Sequence, residues 1–352
     1  MPATHDGTAP IDSAALPAHP SDAPAPALAD RPSDVVLPGG EYIRERHDDG
    51  RRDRSRPPLP EPLGVATYDN HAHLEIRDGE APAYAEALDL AASVGIAGVI
   101  QVGGDVESSV WSAALAAQEP RVLAAVAIHP NEAPGYADAR TLFDALATID
   151  ELAAQPRVRA VGETGLDFFR TGDDGRRAQF ESFEAHIDIA KRHGIALQIH
   201  DRDAHDEVVE TLLRVGAPET TVFHCFSGDE DLARTAAEHG WYLSFSGTAT
   251  FSNARNLHRA LEVADRSRIL VETDAPFLTP TPYRGRPNSP YLVPVTVRSI
   301  AERLGLGSDE LAGITAENTV RAYGSWESDS ACWRAGGAPR IHGRAGRRLA
   351  VS

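Results

Sequence analysis

Eight short apolar runs recur along the middle of the chain, at 66–73, 95–103, 122–130, 158–167, 196–203, 220–228, 241–247 and 269–276. They are continuous rather than alternating, the pattern of parallel strands buried on both faces. Amphipathic stretches separate them. In EAPAYAEALDLAASVG, for example, Tyr84, Ala87, Leu88 and Ala91 share one helical face. Gly95, Gly194 and Gly240 each end a helical stretch just before the next strand, as left-handed C-caps do. Alternation of this kind predicts an α/β fold with a parallel sheet, and eight strands are the number that closes a (β/α)8 TIM barrel. Two more helices are expected in PYLVPVTVRSIAERLGL and SDELAGITAENTVRAYG, with Pro290 in a first turn and Ser308 and Glu310 marking a start.

Composition sets the domain limits. The alternation occupies residues 63–325, read as a single barrel domain. Residues 1–62 are rich in Pro, Ala and Asp and then charged, so a disordered or loosely ordered N-terminal extension is expected. The arginines from Arg44 to Arg56 are interleaved with Asp48, Asp49 and Asp53, which reads as a solvated linker, contact with nucleic acid being the alternative. Residues 326–352 carry Arg334, Arg340, Arg344, Arg347 and Arg348 without periodicity and are expected to be a flexible basic tail.

A formal net charge of −18 argues against broad attraction to nucleic acid or anionic membranes, while leaving room for a local cationic groove. No apolar run approaches the roughly 20 residues of a membrane span. The N-terminus lacks the basic start and apolar core of a signal peptide. A cytoplasmic location is therefore expected, and the two cysteines, Cys225 and Cys332, make no disulfide framework that would oppose it. Cys225 is read as a packed thiol, with a soft metal ligand as the alternative. Lys191 is the sole lysine and sits at a helix end, which excludes Schiff-base aldolase chemistry and metal sites bridged by a modified strand lysine.

Metal-binding residue types terminate the apolar runs. His71 and His73, two apart on a strand, can chelate one ion from one face. Asp69 shares that face and could orient an imidazole. Glu163 ends the fourth run and could bridge two cations, or serve as a salt-bridged structural residue. His200 and His224 end the next two runs and would complete a second site. Asp274 and Glu272 share a face at the eighth, so that one can ligate or act as base while the other orients it. Singly, each has a packing explanation. Jointly they imply a divalent-metal site, because a barrel core otherwise prefers branched aliphatics. Imidazole and carboxylate suit Zn, Mn, Ni or Fe, with Mg less typical. Arg170, Arg202, Arg284 and Arg286 are candidate phosphate anchors. His129 could bind a phosphate or protonate a leaving group, or be a loop histidine held by Pro130.

These motifs resemble the TatD family of metal-dependent deoxyribonucleases, amidohydrolase-like barrels. The likeness covers about residues 66–324 and includes DNHAHLE, AIHPNEA, VGETGLDFF, QIHDRDA, HCFSG, ETDAPFLTP, RGRPNSP and TAENTVRAYG. It implies a dinuclear centre of His71, His73, Glu163, His200, His224 and Asp274, holding two divalent ions such as Zn, Mn, Mg or Ni, with Glu272 as an outer partner. It also implies removal of nucleotides from the 3′ end of single-stranded DNA. The family often has a second histidine two residues beyond the one matching His129; this chain has Asn131, which can donate to a phosphate but supplies no proton.

The expected reaction is phosphodiester hydrolysis by metal-bound hydroxide, with Glu163 bridging, Asp274 ligating and accepting the water proton, and His129 as candidate acid. Two rivals remain. The same nucleophile could attack a carboxylic ester or amide, as in D-aminoacyl-tRNA deacylation, or the barrel could bind nucleic acid without catalysis. No obligate protein partner and no membrane association are expected.

Overall fold

The computed structural model describes residues 43–46, 50, 52–136 and 139–326. Eight strands form one parallel sheet in sequence order. They are β1 (Thr67–Ala72), β2 (Ile96–Val102), β3 (Val122–Val126), β4 (Val158–Asp167), β5 (Ala196–Arg202), β6 (Thr221–Phe223), β7 (Tyr242–Phe245) and β8 (Ile269–Val271). All eight lie within the expected apolar runs. The seam between β8 and β1 closes at its C-terminal end, where Ala72 bridges Ala275 in parallel. There the His73 N–H donates to the Ala275 carbonyl at 2.8 Å and the Asp274 N–H to the His71 carbonyl at 2.9 Å. Barrel closure and three site residues thus share the same hydrogen bonds.

Helices α1 (Tyr84–Ser93), α2 (Val106–Gln118), α3 (Ala139–Ala153), α4 (Asp173–His193), α5 (His205–Val215), α6 (Glu230–His239) and α7 (Arg255–Val263) alternate with the strands. α8 (Val293–Leu304) and α9 (Ser308–Tyr323) follow β8. Two of the three predicted caps are in place, Gly194 and Gly240 ending α4 and α6 in the left-handed conformation, whereas α1 is capped by Val94 with Gly95 (φ 91°) one residue beyond.

Alternate strand residues face two separate cores. Val99, Val126, Val161, Leu197 and Phe223 pack outward under the helices with Phe183 and Ile187 of α4. Ile100, Leu123, Ala160, Ala196, Val222, Tyr242 and Leu270 form a second cluster joined by Tyr68, one residue or more from every strand, and so fill the interior. Tyr323 and Trp326 complete that cluster. Trp326 stacks on Tyr68 with centroids 4.4 Å apart and directs its indole N–H at the Arg121 carbonyl. It therefore belongs to the barrel and not to the tail, whose remaining residues, with Cys332 and the tail arginines, lie outside the described part.

The N-terminal limit also moves. Composition assigned everything before residue 63 to a loose extension, yet Arg44–Glu45 pairs in parallel with Ile76–Arg77. Pro57 accepts a hydrogen bond from the buried Tyr291 hydroxyl at 2.7 Å, and Arg298 donates to the carbonyls of Glu61 and Pro62. Charge-rich sequence reads as solvated when its partner is a buried group far along the chain.

Candidate metal centre

Close backbone approach comes first. Gly162 and Gly165 flank Glu163 on β4, and a Cβ at Gly165 (φ 142°) would fall 2.1 Å from the His200 carbonyl oxygen on β5. Only glycine lets β4 lie this near β5 and aim Glu163 between the imidazoles.

The Glu163 carboxylate divides the centre in two. Its Oε2 lies 3.6 Å from the Nε2 atoms of both His71 and His73, which are 3.3 Å from each other. Asp274 Oδ1 is 3.8 Å from His71 Nε2 and 3.6 Å from His73 Nε2. Four ligands around one tetrahedral ion stand about 3.3–3.4 Å apart. This donor set could hold a divalent ion after shifts of a few tenths of an ångström.

Glu163 Oε1 faces the other way. It is 2.6 Å from His200 Nδ1, 2.7 Å from His224 Nε2 and 3.4 Å from His129 Nε2. The two shortest are hydrogen-bond separations, those of imidazoles holding protons that a cation would displace. Among the described residues, the groupings able to hold an ion include His71–His73–Glu163, His129–Glu163–His200 and His71–His224–Glu272. His129, read from sequence as an acid or phosphate contact, thus also stands among the potential ligands.

The far sides of the rings explain their orientation. His73 Nδ1 donates to the Val102 carbonyl at 3.0 Å, which turns Nε2 toward the centre. His224 Nδ1 faces Glu272 Oε1 at 3.3 Å, and that carboxylate is held at 2.5 Å by both the Cys225 N–H and the Ser244 hydroxyl. Asp167 does the same for His200, its Oδ2 lying 3.1 Å from Nε2. Asn131 Nδ2 and the Arg170 N–H in turn donate to Asp167 at 3.0 and 2.8 Å. A ring tied at one nitrogen presents the other to a metal, and such outer carboxylates set both tautomer and orientation.

Electrostatics follow from this crowding. Burial pushes the Glu163 carboxyl up, but the surrounding imidazoles of His224, His129 and His200 outweigh it and hold the group well below the usual range. Burial pulls His73 down, yet Asp274, Glu75 and Glu163 raise it to about 9. His224 is likewise raised by Glu163 and Glu272 against its burial. His129 moves down because burial dominates there. The carboxylates thus draw positive charge onto the His73 and His224 rings, the same field that would attract a cation.

The remaining sequence-derived candidates divide. Asp69 does not orient an imidazole: it accepts the Thr273 hydroxyl at 2.6 Å and N–H at 2.9 Å, pinning β1 to β8. Asn131 is engaged by Asp167 and by Thr171, whose hydroxyl donates to it at 3.2 Å. Arg286 donates to the Ser55 and Arg56 carbonyls, which makes it a strut for the N-terminal segment. Arg170 is exposed. Arg202 lies 3.9 Å over the Phe169 ring and Arg284 4.3 Å over the Phe251 ring. The Cys225 thiol contacts the Ser246 hydroxyl and not the imidazole cluster. Sequence reading gave Asp167 no role, although its spacing of four from Glu163 on one strand puts both on one face.

A parallel barrel whose strand ends converge on two histidine–carboxylate clusters defines a metal-dependent hydrolase of the amidohydrolase type. Within that class, the chain belongs to the TatD-related DNase family, whose model matches residues 68–324. It is 44% identical over 261 residues to an uncharacterized metal-dependent hydrolase TatD of Mycobacterium tuberculosis, covering 73% of this chain and 97% of that protein. It is 33% identical to the uncharacterized metal-dependent hydrolase YabD of Bacillus subtilis, covering 73% and 98%. Among solved structures it resembles YJJV, a TatD homolog from Escherichia coli, with a TM-score of 0.67, 25% identity and coverage of 74% and 98%.

Proposed function

We propose that this chain is a nuclease that removes nucleotides from the 3′ end of single-stranded DNA, acting in the cytoplasm through two divalent ions. The observation that carries the substrate class is Phe169. It follows β4, is 62% exposed, and carries the Arg202 guanidinium over its ring. An exposed aromatic beside an arginine offers a nucleobase a stacking face and a phosphate a cation. On an acidic chain, that is the local cationic rim a nucleic acid needs.

His71, His73, Glu163 and Asp274 would hold one ion, and Glu163, His200 and His224 the other, with Glu163 shared. When bound, the ions supply a nucleophile at neutral pH and neutralise charge on the phosphate. In this reading Asp274, whose Oδ1 lies 3.6 Å from His73 Nε2, takes the proton of the attacking water. His129 accepts the Asn131 N–H at Nδ1, 3.0 Å away, so its neutral ring carries the proton on Nε2, facing the centre. Burial lowers its pKa and holds the ring neutral, so the Nε2–H can give a hydrogen bond to the leaving oxygen.

The test is hydrolysis of end-labelled single- and double-stranded DNA with added Mn, Mg or Zn, beside a D-aminoacyl-tRNA under the same conditions. Ladder products shortened from the 3′ end support this reading. Ester cleavage without DNA cleavage overturns it.

A further inference from the structure

Four arginines from two distant segments line one cavity of about 210 Å³: Arg46, Arg52, Arg284 and Arg286. Phe251, Leu278, Thr279 and Gly285 complete its described lining, which holds no carboxylate. Arg46 and Arg52 precede residue 68, where the family match begins, so half of the cationic wall lies outside the matched segment.

The N-terminal pair is anchored. The Arg46 N–H donates to the Arg77 carbonyl at 2.8 Å, extending the short strand pairing next to His73. Asp78, with its side chain 0% exposed, takes Arg46 at 2.9 Å, Arg52 at 3.0 Å and Arg54 at 3.4 Å. Around it, three guanidinium groups gather on one carboxylate. Burial lowers the Arg46 pKa and the field of Arg52 lowers it further, against Asp78 and Asp274, so an anion entering the cavity would relieve a like-charge contact.

The cavity borders the centre. The Arg46 guanidinium lies 4.7 Å over the Phe277 ring, and that ring meets His73 edge-on at 6.1 Å. One aromatic side chain separates Arg46 from a proposed metal ligand.

We infer that this cavity is a phosphate subsite, holding a phosphate of the substrate strand beside the one that is cut. Guanidinium forks match phosphate oxygens, and the four arginines outnumber the carboxylates they meet, Asp78 against Arg46 and Arg52 and Asp53 at 3.5 Å from Arg286, which leaves the described wall cationic. A second bound phosphate fixes the register of a strand whose bases stack elsewhere on the rim. The inference rests on the nuclease reading for the identity of the ligand, but not for its charge.

The experiment is calorimetric binding of inorganic phosphate and of 5′-phosphorylated dithymidine to the full chain kept metal-free with chelator. Parent, Arg52→Gln, Arg284→Gln and the surface control Arg303→Gln are compared, with melting curves to show that each is folded. Arg284 is exposed and Arg52 is not needed for the barrel core, so at least Arg284→Gln should melt as the parent does. Dinucleotide affinity should exceed phosphate affinity. It should fall on the order of tenfold in each cavity variant, the salt slope dropping by about one, while the control matches the parent. Equal binding in all four proteins, or no gain of dinucleotide over inorganic phosphate, overturns the strand subsite. Variant-sensitive dinucleotide binding in a protein that cuts no DNA keeps the subsite and defeats the nuclease. DNA cutting with variant-insensitive binding does the reverse.

Discussion

His200 meets Glu163 at 2.6 Å, Nδ1 to Oε1, on the side of the carboxylate opposite His71 and His73, which face Oε2 at 3.6 Å. One side chain thus serves two clusters. In Glu163→Gln the amide group turns N–H donors toward one of them and can no longer join both. Metal capacity should fall from two ions to one at most, with turnover reduced on the order of 10³-fold. Mass-spectrometric metal counts beside initial rates check this. Full capacity in the variant would remove the bridge.

Asp274 sits in the left-handed region at φ 55°, and its N–H helps to close the barrel. Asparagine tolerates that conformation better than most residues. Asp274→Asn should therefore keep the circular dichroism and melting temperature of the parent. Loss of the proton acceptor should cost roughly 10²–10⁴ in kcat. Parent-like turnover would exclude the assigned role.

Asp167 holds His200 from behind at 3.1 Å and is itself held by Asn131 and Arg170. Burial pushes its carboxyl up, but the bonds from His200, Arg170 and Asn131 carry it well below the usual range, so it stays ionised at neutral pH. In Asp167→Asn the affinity for one of the two ions should drop about 10–100-fold, with activity recovered at high metal concentration. A kcat loss that excess metal does not repair would assign Asp167 a different task.

His186 on α4 lies outside the centre. Its Nε2 accepts the Ile128 N–H at 3.1 Å, its Nδ1 donates to the Ser182 carbonyl at 2.7 Å, and burial lowers its pKa to about 4. In the unfolded chain the ring takes a proton below about pH 6.5. Between those values the unfolded state binds more protons. Stability should therefore fall as pH drops from about 6.5 to about 4 and level off below, by on the order of 3 kcal/mol. Denaturant melts of metal-free parent and His186→Gln should differ in slope across that window. Parallel curves would show that the ring is protonated in the folded chain.

What was legible in the sequence follows one physical rule. Strand ends carrying His71, His73, Glu163, His200, His224 and Asp274 interrupt apolar runs, and a barrel forces such ends to converge. Of the partners that act behind the ligands, Glu272 was legible beside Asp274, but the others leave no comparable trace. Asp167 resembled any carboxylate after a strand, and Asn131 faced a phosphate only as long as Asp167 was ignored. Asp69 shared a face with His71, yet the seam between β1 and β8 offered it Thr273 instead. The N-terminal arginines looked like a solvated linker because buried Asp78, to which three of them are bound, lies more than twenty residues downstream.

The dinuclear centre is the central claim, and metal titration of the chelated chain tests it most directly. Turnover of single-stranded DNA, followed as divalent ion is added back, should rise until two ions are bound per chain, as counted on the same samples. Full turnover at one ion per chain, or turnover independent of added ion, would contradict it.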